Sequence, residues 1–371
     1  MRSLYLARCQ ELSKYPARDV EIWGNINKLI GLNVGLVDRA GSITMPFNFK
    51  IYPGFEMPSL KDITFNLTYE DCCNEQAQYI IAKSKALNKP ITVLYSGGID
   101  STLVLISLMK NLNPSEYRDR ITVALSIDSM VENPNFYQKH IRNQFNIISS
   151  DNIGALLDGK SIVVGGEHND QLFGSDIIGS IYRETDFSNI HQPYTREFIT
   201  SWFIKKGLNE ASANIWFELL DNQIKTKAEC EVVTNYQFFW WYNFCFKWQN
   251  VFFRILTVID KNKRSIITQE FINDNFLHFY SSRSFQLWSM TNSDKKILEN
   301  WETYKFESKK VIFDFNKDED YFKHKVKIGS LYKLFIQRDT AAAIDSEFNI
   351  ISDEEFVPEE FYNPNNSFSN Y

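Results

Sequence analysis

Residues 91–110, ITVLYSGGIDSTLVLISLMK, combine a strand pattern, a glycine turn and a helix pattern without interruption. The apolar run at 91–95 predicts a buried strand, and the apolar spacing from Asp100 onward predicts a helix that packs back onto a sheet. Between them, Gly97 and Gly98 permit positive φ angles and allow consecutive N–H groups to point into one concavity. The helix N-terminus adds a partial positive charge, and Ser101 and Thr102 supply hydroxyl donors. This stretch therefore predicts a phosphate-binding turn.

Two common nucleotide-binding motifs do not match this turn. A P-loop requires Gly-Lys-Ser/Thr after the glycine-rich segment, and a dinucleotide-binding turn requires G-x-G-x-x-G. Neither spacing is present in Ser96-Gly97-Gly98-Ile99-Asp100-Ser101. The turn is therefore expected to bind phosphate in a different class of enzyme.

Predicted helices and strands alternate on both sides of this turn. Strands separated by helices at this spacing predict an α/β fold with a doubly wound parallel sheet and ligands at the carboxyl ends of its strands. The loops 96–101, 126–129 and 165–174 should then converge on one crevice. The predicted elements are a helix at 68–87, a strand at 91–95, a helix at 100–112, a strand at 121–127, a helix at 133–144 with Pro134 in its first turn, and strands near 146–149 and 161–165.

The flanking regions have a different character. Residues 1–66 predict a small β-containing region, with a short helix at Leu4–Tyr15 and a β-hairpin at Gly35–Pro53 around Ala40-Gly41. Beyond about residue 195 the pattern is helical and rich in aromatic residues, and the run Phe238–Tyr242 favours core packing over a base-stacking platform. Residues 345–371 are acidic and then rich in Asn and Ser, which predicts either a poorly ordered tail or an arm that docks by its phenylalanines. The predicted domains are 1–66, 67–344 and 345–371.

Composition excludes several classes of partner. The net charge of −6 argues against a broad basic surface for nucleic acid. No apolar run reaches membrane-spanning length, so no membrane partner is expected. The five cysteines form no C-x-x-C pair, and the N-terminal residues lack the apolar segment of a secretion signal. We therefore expect a protein of a reducing compartment, the cytoplasm.

A second motif, VVGGEHNDQLFGSD at residues 163–176, makes the interpretation more specific. Ser-Gly-Gly-x-Asp-Ser resembles the PP-loop of the ATP pyrophosphatases. Residues 166–174 resemble the Gly-Glu-Gly-x-Asp-Glu-Leu-Phe-Gly motif in the synthetase domain of asparagine synthetases and related amidotransferases. His168 replaces the family glycine, and Gln171 replaces the second acid. An acidic surface loop is the alternative interpretation of this segment.

The resemblance implies a PP-loop type of sheet, binding of ATP and Mg²⁺, and specific roles for residues. Asp100 and Asp170 would hold the Mg²⁺ ion, whose preferred ligands are oxygen atoms. Glu167, beside Gly166, would bind on the substrate side or support the nucleotide loop. Leu94 and Ser126 would lie near adenosine, with ordinary strand packing as the alternative. The phosphate-cradling residues would be Ser96, Gly97, Gly98, Asp100, Ser101 and Thr102.

Two later segments resemble the family's cationic positions. Lys305 matches a lysine that precedes a Leu-Arg pair, and Lys327 matches the lysine of Arg-x-Lys-x-Gly. Both would act in catalysis by neutralising charge on the transferred and leaving phosphates. Lysines 309 and 325 stand where the family has arginines, which replaces a bidentate fork with a point charge. A solvated charged helix face is the alternative.

The chain departs from the family at the N-terminus. Arg2 follows Met1, so the cysteine nucleophile of the family's glutaminase domain is absent, and residues 1–66 would be a remnant or replacement of that domain. The amine would then come from ammonia, from a separate amidase subunit, or from an amine substrate. The segment Ser265–Asp274 also lacks the family's acceptor motif, which implies an acceptor other than aspartate.

The resulting hypothesis is an ATP-dependent carbon–nitrogen ligase that forms AMP and pyrophosphate. It would adenylate the carboxylate of a small molecule or peptide and then form an amide with an amine. One alternative is a PP-loop enzyme that adenylates a nucleobase carbonyl for thiolation or amination. Another is a non-catalytic protein that binds nucleotide and serves as a partner.

Overall fold

The computed structural model describes residues 2–29, 34–184, 187–325, 341–366 and 368. Their contacts group into two compact units. The first comprises residues up to 63, residues 170–257 and residues from 341 onward, and the second comprises residues 64–169 and 258–340. The chain passes between the units inside one short helix, at Asn169 and Asp170. The sequence-based division at residues 66 and 345 assigns these segments differently.

Short strands and mostly longer helices make up the described residues. In chain order, the strands are β1 Leu4–Ala7, β2 Ile91–Leu94, β3 Ile121–Leu125, β4 Asn146–Ser149, β5 Ile162–Gly165, β6 Phe276–His278, β7 Ala343–Asp345 and β8 Ile350–Ile351. The α-helices are α1 Cys9–Leu12, α2 Arg18–Lys28, α3 Tyr69–Leu87, α4 Ile99–Asn111, α5 Tyr117–Arg120, α6 Ile127–Glu132, α7 Pro134–Phe136, α8 Ile153–Leu156, α9 Asn169–Phe173, α10 Ser175–Glu184, α11 Arg196–Lys205, α12 Glu210–Lys227, α13 Asn235–Phe246, α14 Trp248–Phe253, α15 Gln269–Asn275, α16 Arg283–Thr291, α17 Phe306–Asn316 and α18 Glu319–His324. Short 3₁₀ helices lie at Pro114–Glu116, Phe187–His191, Arg254–Val258, Lys261–Ile266, Phe279–Ser281, Ser293–Lys295, Trp301–Thr303 and Pro358–Glu360, and a π-helix lies at Tyr137–Ile141.

The second unit is built on a parallel five-stranded sheet in the order β4-β3-β2-β5-β6. The chain winds outward from β2 to β4 on one side and then crosses to β5 and β6 on the other. Strand β2 therefore has neighbours on both edges, and Ile91 pairs with Ile121 and with Ile162. In such sheets the winding direction reverses between two neighbouring strands, and ligands bind outside their carboxyl ends. In this sheet those strands are β2 and β5.

Helix α4 is anchored in this unit by its apolar residues. Leu103, Val104, Ile106 and Leu108 are completely buried, and the helix packs against α3 and α17. Helix α3 begins with a capping box, in which the Thr68 side chain accepts from the Asp71 N–H and the Asp71 carboxylate accepts from Thr68. These contacts fix the start of α4 relative to the end of β2.

Several sequence-based predictions for this unit are confirmed, and others need correction. The α/β class, the helix from 69 to 87 and the strand at Asn146–Ser149 match the structure. The predicted strand 121–127 ends at Leu125 because Ser126 caps α6 with its side chain. The predicted helix 133–144 is divided into α7 and a π-helix, with Pro134 in the first turn as expected. The three-residue strand β6 was not predicted, since its apolar run is too short to be recognised.

The first unit combines a small antiparallel sheet with an aromatic helical core. Strand β7 lies between β1 and β8, so residues from both ends of the described chain share one sheet. Every residue of α13 is buried, including the aromatic run Phe238–Tyr242, as expected for core packing. In the 345–371 segment, Phe356, Phe361 and Phe368 are buried. The described part of this segment is therefore a docked arm.

One prediction in the first unit is wrong, and another is confirmed only in part. The hairpin at Gly35–Pro53 is not formed, because the buried Asp38 carboxylate accepts from the N–H groups of Ala40, Ser42 and Ile43 and holds them in a loop. Within the predicted helix Leu4–Tyr15, only Cys9–Leu12 is helical, because Leu4–Ala7 is buried and forms β1, which pairs with β7. No helix among the described residues is both long and apolar enough to cross a membrane.

Shortening Leu103 to alanine should destabilise the second unit by about 2–5 kcal/mol, because it removes a fully buried side chain and leaves a cavity under α4. The measurement is the free energy of unfolding in urea. Leu67→Ala is the control, since Leu67 is exposed in the same unit. Equal effects of the two substitutions would contradict this account of α4.

Candidate active site

The glycine turn between β2 and α4 is closed by its own two serines. The Ser101 Oγ accepts from the Ser96 N–H at 3.0 Å, and the Ser96 Oγ accepts from the Gly98 N–H at 3.2 Å. The two hydroxyl oxygens lie 3.0 Å apart. Gly98 is the N-cap of α4, so no cap side chain occupies the helix N-terminus. Backbone N–H groups in the first turn of a helix attract anions in this situation.

The turn requires glycine because neighbouring loops approach it closely. Gly97 has a φ of +78°, and a Cβ there would collide with the Ser129 carbonyl oxygen and lie 2.9 Å from the Glu132 Cβ. At Gly166, after β5, a Cβ would lie 3.2 Å from the Asp100 carbonyl carbon. The segment that follows β2 therefore contacts both the segment after β3 and the loop after β5.

Asp100 and Lys305 form an ion pair at the start of α4. The Lys305 Nζ donates to both carboxylate oxygens of Asp100 at 2.8 Å. The Lys305 side chain is 7% exposed, and that of Asp100 is 25% exposed. A pair this far withdrawn from water is much less screened than a surface pair. Both residues were singled out from sequence motifs separated by about two hundred residues.

Lys305 is held in place by an uncommon backbone conformation. It is the N-cap of α17, with φ 59° and ψ 34° in the left-handed region, and its N–H donates to the Lys296 carbonyl at 3.2 Å. A residue with a Cβ is seldom found there, and such strain is concentrated at functional sites. Packing of α17 against α4 holds this conformation and directs the ammonium to Asp100.

A buried polar network fixes the other side of the Asp100 carboxylate. The Asn169 Nδ2 donates to the Asp100 Oδ1 at 2.6 Å and to the Ser308 Oγ at 3.1 Å. The Tyr69 hydroxyl donates to the Asn169 Oδ1 at 2.5 Å, and the Ser308 hydroxyl donates to the Tyr69 oxygen at 2.9 Å. Burial raises the pKa of Tyr69 well above its ordinary value, so its hydroxyl keeps the proton that it donates. The Tyr280 hydroxyl separately donates to the Asp100 backbone carbonyl at 2.8 Å.

A second ion pair lies beside the glycine turn. The Lys325 Nζ is 2.7 Å from the Glu132 Oε1, and the Glu132 side chain is buried at the end of α6. The Tyr321 hydroxyl on α18 donates to the Gly97 carbonyl at 3.0 Å. The segment around α18 therefore also holds the turn in place.

Lys309 is the third lysine of the site. It lines a small pocket beside the start of α4, together with Ile99, Tyr321 and Phe322. Its Nζ donates to the Glu302 carbonyl oxygen at 2.5 Å. Burial lowers the pKa of Lys309, and so do Lys305 and Lys325, while Glu302 acts in the opposite direction. A lysine whose charge is disfavoured by burial and by positive neighbours is stabilised by an added anion.

The remaining residues predicted from sequence occupy different surroundings. Thr102 is completely buried near the Tyr95 hydroxyl, so its side chain lies away from the turn surface. Leu94 is buried in β2, and the Ser126 hydroxyl is engaged with Ser129 in the α6 cap. Glu167 is partly exposed in the turn before α9. The strand-packing alternative therefore accounts for the positions of Leu94 and Ser126.

The other two predicted residues, Asp170 and Lys327, are not among the described residues of the second unit. Asp170 follows Asn169 in α9, is partly exposed and belongs to the first unit. Lys327 lies outside the described residues. Within the described ranges, no group of three or more His, Cys, Asp or Glu side chains is arranged to hold a metal ion. The two-carboxylate Mg²⁺ site stays a prediction.

His168, which replaces a family glycine, has a structural explanation. Its ring is completely buried and packs edge-on against His278 at 4.8 Å between centroids. Gly165 makes room for this pair, because a Cβ there would lie 2.7 Å from the His278 Nδ1. The bulkier residue is therefore accommodated by the end of β6.

Sequence reasoning missed Tyr69, Ser308, Tyr280, Tyr321 and Glu132 as site residues. Each lies in an ordinary helix or 3₁₀ pattern, and only the folded topology brings them to the turn. Asn169 had a local signal, since it stands between two residues of the second motif. No family model, curated protein or solved structure matches the chain.

Replacing Gly97 by alanine should lower the free energy of unfolding by about 1–3 kcal/mol more than replacing Gly159 by alanine does. Both glycines have a φ of +78°, so both variants carry the same backbone strain. At Gly159 the nearest atom is an edge carbon of the Phe271 ring at 3.3 Å, whereas at Gly97 it is a backbone carbonyl that cannot turn aside. Urea unfolding of the two variants measures the difference. Similar losses would show that the loop contact is unimportant.

A double-mutant cycle with Asp100→Asn and Lys305→Met should give a coupling energy of at least about 1.5 kcal/mol, because each single change leaves a buried partner uncompensated. The matched control is the exposed i,i+4 pair Glu319–Lys323, whose N–O distance is also 2.8 Å. Its expected coupling is much smaller, because water and salt screen two exposed charges. Stability of all variants is measured by chemical unfolding. A coupling at Asp100–Lys305 no larger than the control would contradict the burial argument.

Proposed function

We propose that the protein is an ATP-dependent, AMP-forming ligase of the asparagine synthetase-like, PP-loop type. The observation that carries this proposal is the pairing of Lys305 with Asp100 at the N-terminus of α4, outside the switch between β2 and β5. The sequence resemblance assigns both residues to one ATP site, and the two segments, which are distant in sequence, meet at the start of α4. An ordinary glycine turn would not require a buried lysine supplied from a distant helix.

The turn would bind the phosphates of ATP, which is a substrate in this reaction. The N–H groups of the first turn of α4 would donate to phosphate oxygens. Lys305 and Lys309 would neutralise the charge that develops on the transferred phosphate and the leaving pyrophosphate. The lowered pKa of Lys309 supports this role, since a bound phosphate group relieves the repulsion among the lysines.

Asp100 is suited to hold the Mg²⁺ ion of the nucleotide. Its carboxylate is partly exposed, so a cation can reach it from solvent, and carboxylate oxygens are preferred Mg²⁺ ligands. When bound, the metal would offset charge on the phosphates. Lys305, which neutralises Asp100 in the present structure, would gain phosphate oxygens as alternative anionic partners. The assignment of Asp170 as a second ligand rests on the sequence resemblance.

The proposed reaction has two steps. A substrate carboxylate oxygen attacks the α-phosphorus of ATP, and the bond between that phosphorus and the α–β bridging oxygen breaks, giving an acyl-adenylate and pyrophosphate. An amine nitrogen then attacks the acyl carbon, loses a proton and displaces AMP, which forms an amide. The adenylate turns a carboxylate oxygen into a good leaving group. Asp100, Lys305 and Lys309 would serve the first step by positioning and charge stabilisation.

The test incubates the protein with ATP, Mg²⁺ and a panel of carboxylic acids and amines, and measures AMP and pyrophosphate. Lys305→Met should lower pyrophosphate release about 10²–10³-fold, because it removes a fixed cation from the transferred phosphate. Lys310→Met is the control, since Lys310 is exposed on the same helix. Asp100→Ala should abolish the Mg²⁺-dependent activity.

Other products would overturn the proposal in identifiable ways. Formation of ADP and phosphate would exclude cleavage between the α- and β-phosphates. Turnover only with a free base or tRNA would favour the nucleobase-adenylating alternative. ATP binding without turnover across the whole panel would favour the non-catalytic alternative.

A further inference from the structure

The hydrogen bonds around Asn169 allow a single consistent arrangement of protons. The Asp100 carboxylate accepts only, so the Asn169 atom beside it must be the amide nitrogen. The Asn169 Oδ1 then accepts from Tyr69, Tyr69 accepts from Ser308, and Ser308 accepts the second Asn169 N–H. The three side chains form a closed ring in which each donor points to the next residue. Its one remaining N–H is directed at the Asp100 Oδ1.

We infer that Asn169, Tyr69 and Ser308 are positioning residues that orient the Asp100 carboxylate for binding the Mg²⁺ ion of ATP. This inference rests on the proposed function and goes beyond it by assigning roles to three residues outside the recognised motif positions. All three are buried, with Asn169 and Ser308 completely so and Tyr69 1% exposed. None of them is in a position to contact solvent directly.

The physical reason is the symmetry of an amide side chain. An asparagine turned by 180° exchanges its oxygen and nitrogen, and the oxygen would then face the Asp100 carboxylate and repel it. Tyr69 and Ser308 prevent this exchange, because one supplies a donor to the Asn169 oxygen and the other an acceptor to its nitrogen. Groups that orient a metal-binding carboxylate in this way typically change metal affinity 10–100-fold when they are removed.

The chain offers a control tyrosine in the same unit for the test. Tyr69→Phe removes both the donor to Asn169 and the acceptor for Ser308, and should release the ring. Tyr117→Phe removes the hydroxyl of another buried tyrosine, which donates to the Met109 carbonyl and makes no contact with Asp100. Both variants lose buried hydrogen bonds, so both should be less stable than the unmodified protein. Only Tyr69→Phe should affect metal binding.

The measurement is calorimetric binding of an ATP analogue whose α–β bridging oxygen is replaced by methylene, in excess Mg²⁺ and in EDTA. The ratio of the two affinities gives the gain that is due to the metal. Tyr69→Phe should reduce this gain about tenfold without changing the affinity in EDTA, and Tyr117→Phe should leave the gain unchanged. This readout does not depend on turnover.

Each outcome separates the inference from the proposed function. If the unmodified protein shows a metal-dependent gain in affinity and Tyr69→Phe retains that gain in full, the positioning role alone is overturned. Absence of any gain in the unmodified protein would overturn the proposed nucleotide site and the inference with it. Equal losses in Tyr69→Phe and Tyr117→Phe would show a general structural effect and would also overturn the positioning role.

A second variant tests whether the ring acts as a unit. Ser308→Ala should reduce the metal-dependent gain in the same direction as Tyr69→Phe. The double variant should lose less than the product of the two single effects, because either change alone opens the same ring. Independent, multiplicative losses would contradict the closed ring as the source of the orientation.

Discussion

The structure of the second unit depends on keeping a negative charge close to the protein interior. The Asp100 carboxylate is three-quarters withdrawn from water, and such a charge is tolerated only when it is paired and hydrogen-bonded. Lys305 supplies the opposite charge from α17, and Asn169 supplies a hydrogen bond from α9. Helices that are distant in sequence must therefore pack around α4 before this charge is satisfied. This arrangement is maintained by the glycine turn, by the left-handed backbone at Lys305 and by the contacts among the three loops.

The charged side chains of the site also favour the binding of phosphate. Two lysines are already matched by carboxylates, Lys305 by Asp100 and Lys325 by Glu132. Lys309 lies near them, and its pKa is lowered by burial and by Lys305 and Lys325, so its charged form would be favoured by an added anion. A bound polyphosphate would supply negative charge to the lysines, and its metal ion would supply positive charge to the carboxylates. This is the physical link between the two ion pairs and the proposed adenylation.

Sequence patterns predicted the parts of the fold that are set by neighbouring residues. The strand, turn and helix around Gly97, the capped start of α3 and the strand at Asn146–Ser149 follow from local propensity, capping and glycine conformation. Motif comparison added Lys305, which local reasoning treats as one charge on a helix face. The parallel sheet order was consistent with helices alternating with strands, but β6 was too short to be recognised.

Tertiary contacts explain the predictions that failed. Strand β1 pairs with β7, which overrides the helical pattern near residue 4, and the Asp38 carboxylate holds the following backbone out of a hairpin. The ring of Asn169, Tyr69 and Ser308 joins three separate segments, so no window of sequence contains its signal. Such side chains become recognisable as part of the site only after the helices are packed.

The pairing of β1 with β7 has a consequence for the order in which the chain acquires its structure during synthesis. Leu4 pairs with Asp345, so β1 is synthesised long before the strand β7 that completes its sheet. The second unit ends before Ala341 and does not share this delay. Pairings between such distant residues form slowly, and domains of nascent proteins generally fold as units. The unit that carries the glycine turn is therefore expected to fold first, while the edge of β1 that pairs with β7 stays open until β7 is synthesised.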